Sequence, residues 1–125
     1  MNMTPEYCAQ VLSERAARYG GTLGDMLSNT PTQLLDNPDE LMAYWDSKDL
    51  SHIKPQSQYP ELADDWSNII AEDSSINRQR GARTMTEEEV SAALFDNEMD
   101  ADIFDSMYGG DDPEFTEALL ELLPI

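Results

Sequence analysis

The stretch Asp49–Arg83 reads DLSHIKPQSQYPELADDWSNIIAEDSSINRQRGAR. It holds the only histidine of the chain, His52, and four of its seven basic residues, Lys54, Arg78, Arg80 and Arg83. Two short apolar segments, DLSHI and WSNIIAE, are separated by KPQSQYPELADD, whose two prolines mark a loop. The pattern predicts a two-stranded ribbon with a long connection. Asp73 or Ser74 then caps a short helix, SSINRQRGA, which stops at Gly81. A strand–strand–helix unit of this size does not stand alone, so helices on either side must pack on it.

Those helices are legible from their caps. In TPEYCAQVLSERAARYGG, Thr4 is an N-cap, Pro5 takes the first helical position and Gly20–Gly21 stop the helix. Tyr7, Val11, Ala17 and Tyr19 or Leu12 are the expected apolar face. Thr30–Pro31 and Asn37–Pro38 repeat the cap-then-proline start, and the second presents Leu41, Tyr44 and Trp45 at helical spacing. Three acidic helices are expected after Arg83. TMTEEEVSAALFDN opens at Thr86, DADIFDSMY ends at Gly109–Gly110, and DDPEFTEALLELLPI is capped by Asp112. In the last, Phe115, Leu119, Leu122 and Leu123 form an apolar stripe. Cys8 is expected as a small core residue, and Met26, Met42, Met85, Met99 and Met107 as fillers between helices. The expected fold is mostly α with a small β-hairpin. It is one compact domain made of a helical cover (1–48), a ββα core (49–83) and an acidic helical region (84–125).

Charge is unevenly spread. The formal net charge is −19, of which residues 84–125 carry thirteen acids and no base, while 51–83 is nearly neutral with five acids and four bases. Binding of nucleic acid through the whole surface is therefore disfavoured, and only the middle segment is suited to approach a phosphate backbone. No apolar run is long enough to span a bilayer, and MNMTPEYCAQ lacks the basic start and apolar stretch of a secretory signal. The single cysteine excludes an intramolecular disulfide and a Cys-rich zinc site. A cytoplasmic location is the expectation.

SHIKPQS, WSNI and SSINRQRG, in that order, resemble the HNH endonuclease motif, as found in phage-encoded nucleases and CRISPR effector nucleases. The matching positions are His52 with Ile53, Pro55 and Ser57, then Asn68, then Asn77 with Arg78 and Gly81. The resemblance covers residues 49–83 and implies a ββα-metal core that hydrolyses DNA phosphodiesters with Mg²⁺ or another divalent cation. It implies that His52 is the general base, that Asn68 braces the loop or orients the histidine, and that Asn77 supplies a metal-ligand oxygen. Lys54, Arg78, Arg80 and Arg83 would contact phosphate. The family usually places an aspartate, sometimes a histidine, directly before the catalytic histidine as the other metal ligand, and this chain has Ser51 there. Asp49, one pleat repeat away on the same strand face, and Asp73, four residues before Asn77, are the carboxylates available to replace it.

The same features carry an alternative: a degenerate HNH-like accessory, virion or inhibitor protein, if phage-encoded acting in the host cytoplasm or virion. It would bind a host or virion protein through the acidic C-terminal helices, with Ile103, Phe104, Phe115, Leu119, Leu122 and Leu123 as contacts, or imitate the phosphates of DNA with its carboxylates.

Overall fold

The computed structural model describes residues 3–108 and 110–124. The chain runs α1 (Pro5–Ala17), α2 (Leu23–Ser28), a 3₁₀ turn (Thr32–Asp36), α3 (Pro38–Asp46), β1 (Lys48–His52), β2 (Ile69–Asp73), α4 (Ser74–Arg80), α5 (Glu87–Tyr108) and α6 (Pro113–Glu121). It is mostly helical with one antiparallel hairpin, in which Lys48 pairs with Asp73 and His52 with Ile69. One apolar cluster joins all three parts of the sequence: Cys8, Leu12 and Trp45 from the first, Leu50, Ile69 and Ala71 from the hairpin, and Ala101, Phe115 and Leu119 from the acidic region. The acidic helices are thus part of the fold, not an appendage to it. No helix among the described residues is long and apolar enough to cross a membrane.

Several caps form where the sequence places them. Thr4 accepts from the Tyr7 amide, Asn37 from Asp39 and Glu40, and Asp112 from Phe115. Thr86 and Glu89 bond each other's backbone in a capping box, at 3.1 and 2.9 Å. Asp73 caps α4 through Ser75, and Gly81 ends it with φ +67°, a conformation that suits glycine.

Other expectations are corrected. The buried face of α1 is Cys8, Ala9, Leu12 and Ala16, whereas Tyr7 and Ala17 are exposed. Small side chains let α1 approach the core closely, and a search for large apolar residues passes over them. Thr30 caps no helix: its hydroxyl donates to the Met26 carbonyl and accepts from the Trp45 indole. WSN is a 3₁₀ turn capped by Asp65, so Asn68 immediately precedes β2 instead of lying on it. TMTEEEVSAALFDN and DADIFDSMY form the single helix α5, because nothing between Asn97 and Asp100 breaks a helix and Asn97 is itself buried, donating to the Ala71 carbonyl at 2.8 Å. The expected stop at Gly109 lies outside the described residues. Helix α2 was not anticipated, although its Thr22–Asp25 capping box is a readable signal. Met99 and Met107 are exposed and fill no gap, unlike Met26, Met42 and Met85.

Candidate functional site

β1 and β2 run directly into α4, and the side chains of β1 alternate between the two faces of the hairpin. Asp49 and Ser51 face α4. The Asp49 carboxylate accepts from Ser74 Oγ at 2.8 Å and from Asn77 Nδ2 at 2.9 Å, so the two candidate ligands from strand and helix meet. Ser51 Oγ is buried and has no hydrogen-bond partner. Beside it Glu72, also buried, pairs with Arg80 through both guanidinium amino groups, while Arg80 Nε is left without a partner.

The outer edge of β1 is covered by α1. Arg15 donates to the Lys48 and Trp45 carbonyls at 2.7 and 2.6 Å, and the Tyr19 hydroxyl to the Leu50 carbonyl at 3.0 Å. Burial pushes the Arg15 guanidinium below its usual value, with Asp46 and Asp49 acting against the shift. Two adjoining hollows open along this edge and share Tyr19, Leu50 and Asn77. One also holds Arg15, Arg18 and Asp49. The other, of about 340 Å³, holds Ser51, His52, Pro55, Arg80 and Arg83. His52 and Asn77 thus both line this second hollow, with the His52 side chain leaving β1 on the face opposite to Asp49 and Ser51.

The His52 ring sits 5.4 Å from that of Tyr19, and its Nε2 lies 2.8 Å from the Ala63 carbonyl oxygen. A carbonyl only accepts, so Nε2 carries a proton, and in the neutral ring the lone pair is on Nδ1. Ala63 is held in place by its surroundings. Asn68 Nδ2 donates to the Lys54 and Leu62 carbonyls, and its Oδ1 accepts from the Lys54 amide at 2.9 Å. One buried amide thereby ties both ends of the connection that carries Ala63. Trp66 anchors the same connection to α1, its indole donating to the Tyr19 carbonyl at 3.2 Å and its ring lying against Gly21.

The remaining expected residues are placed elsewhere or are already occupied. Asp73 pairs with Lys48 at the far end of the hairpin from His52, four residue steps or about 13 Å away. It is the cap of α4, and bonds from Ser75 hold its carboxyl below the usual range. Arg80 is held in a buried pair with Glu72, whereas Arg83, paired with Glu89 at the surface, stays more than half exposed at the hollow. Lys54 lies over the Tyr59 ring, and Arg78 is exposed on α4. Phe115 and Leu119 are core residues and have no surface to offer a partner; Leu123 and Phe104 pack against the core, and Ile103 and Leu122 are exposed. Reading the sequence missed Arg15, Arg18, Tyr19 and Ala63. Arg15 is a base in the last turn of α1 and Arg18 its C-cap, in an acidic chain, which was a usable signal; Ala63 acts through its backbone and leaves none.

No family model matches the chain, and no curated protein or solved structure does either.

Proposed function

We propose that the chain is a divergent HNH-type endonuclease that hydrolyses DNA phosphodiesters with a divalent cation. The observation that carries this reading is the fixed tautomer of His52 in a hollow shared with Asn77. With Nε2 donating to Ala63, Nδ1 can take a proton from a water directed at phosphorus, and the imidazolium that results keeps its bond to the carbonyl. Asn68 is a positioning residue: it holds the loop on which Ala63 stands. Tyr19 limits rotation of the ring from the other side.

The donor set suits a cation such as Mg²⁺ that keeps waters and takes phosphate oxygens from its substrate. Among the described residues no three His, Cys, Asp or Glu side chains gather to hold an ion by themselves. One carboxylate and one amide do gather, Asp49 and Asn77, beside the orphaned hydroxyl of Ser51. Each Asp49 oxygen accepts one bond and retains a lone pair, and the Asn77 oxygen, which accepts from Arg80 at 3.4 Å, would have to turn from that contact to reach a shared ion. When bound there, a divalent ion would neutralise charge developing on the phosphate and the leaving oxygen. Arg18, exposed at the rim, is placed to meet the nucleic-acid backbone.

Asp49→Ala and Asn77→Ala test the assignment of the ion. Both are expected to raise the Mg²⁺ or Mn²⁺ concentration needed for half-maximal nicking of supercoiled plasmid. An unchanged metal requirement in both would reject Asp49 and Asn77 as ligands.

A further inference from the structure

α5 has two opposite apolar faces. Ala93, Asn97, Ala101 and Phe104 turn inward toward α3 and β2, with Phe104 edge-on to Tyr44. Phe95, Met99, Ile103 and Met107 turn outward, and they are 61, 49, 51 and 67% exposed. Spaced by four, they form a stripe about 18 Å long on one side of the helix. A lone exposed apolar side chain needs no explanation, but four consecutive ones on a single face do.

The flanks of the stripe indicate what covers it. Asp96 borders one side and Glu98 and Asp102 the other, Asp100 being paired with the buried Lys48 at 2.6 Å, and no base occurs anywhere in residues 84–125. A second copy of the chain would set the eight acids of one α5, of which Glu89 and Asp100 are paired with a base, against the same eight of another. Self-association is opposed by that repulsion. The complementary surface is an apolar ridge between rows of lysine or arginine.

We infer that the outward face of α5 is a docking surface for a partner protein that presents a basic amphipathic helix. Met99 and Met107 give the stripe side chains that adapt to the ridge they meet. The surface is distinct from the hollow at His52, so it stands or falls independently of hydrolysis.

The probe is a fluorescently labelled synthetic Leu/Lys amphipathic helix of roughly 18 residues, long enough to cover the stripe. A peptide of the same composition in scrambled order is the control. Both are titrated against the full chain by anisotropy, and sedimentation velocity gives the state of the chain alone. The expected results are a monomer and at least about tenfold tighter binding of the amphipathic order. Phe95→Ser with Ile103→Ser, and separately Met99→Ser with Met107→Ser, should remove that preference while circular dichroism is unchanged. Equal binding of the two peptides, or a preference that survives both pairs of substitutions, would overturn the proposal. So would a concentration-dependent dimer dissolved by either pair, which would assign the stripe to a second copy.

Discussion

Glu40 makes the fold sensitive to pH in a direction opposite to that of a salt-bridged carboxylate. It lies in the first turn of α3, fully buried, with the Asp105 carboxyl beside it. Burial, reinforced by the carboxylates of Asp105, Asp36 and Asp111, pushes it up from 4.5 to about 7. The folded protein therefore holds this proton more tightly than the unfolded chain does. Its contribution to stability is complete below pH 4.5 and is lost as the pH rises to about 7. Above that, at roughly 1.4 kcal/mol for each pH unit between the two values, the buried charge costs about 3 kcal/mol. Glu40→Gln removes the charge while keeping the shape, and its amide donates to neighbouring carboxylates. The stability of the variant relative to the wild type should therefore increase by about 2 kcal/mol between pH 5.5 and pH 8. Urea unfolding followed by circular dichroism at those two pH values measures the change, and using the difference between the chains cancels the other carboxylates. An advantage that stays flat, or shrinks as the pH rises, would refute the reasoning.

Other perturbations test the frame around the hollow. Asn68→Ala strands the Lys54 backbone groups and frees the loop; a loss of about 2 kcal/mol is expected from urea unfolding, together with slower nicking. Glu72→Ala leaves the Arg80 guanidinium buried without its partner and should cost about 3–5 kcal/mol in the same measurement. At Gly21 an added methyl would overlap the Trp66 ring. Gly21→Ala should therefore displace the ring, lowering stability by about 1–3 kcal/mol and shifting the tryptophan fluorescence.

What was legible in the sequence was local. Thr4, Asn37, Asp73 and Gly81 bound their helices because capping involves neighbours within a few residues, and the hairpin leading into α4 followed from apolar segments separated by prolines. What escaped depends on distant partners. The bond from His52 reaches across eleven residues to a backbone oxygen. Asp49 and Asn77 lie on different elements and meet at 2.9 Å only in the fold, while Asp73 caps α4 through Ser75. Arg80 looked like a phosphate contact until its buried pairing with Glu72 was visible. The length of α5 was misjudged because Asn97 reads as a helix end in sequence, while in the fold its amide is buried against β2.

The most direct test of the nuclease reading is the rate at which purified protein nicks supercoiled plasmid with Mg²⁺ or Mn²⁺, for the wild type and for His52→Ala. The account predicts metal-dependent nicking by the wild type, abolished by a chelator, and a fall of about 10²–10⁴-fold in the variant. Wild-type protein that leaves the plasmid intact with either ion, or a variant that nicks at the wild-type rate, would contradict it.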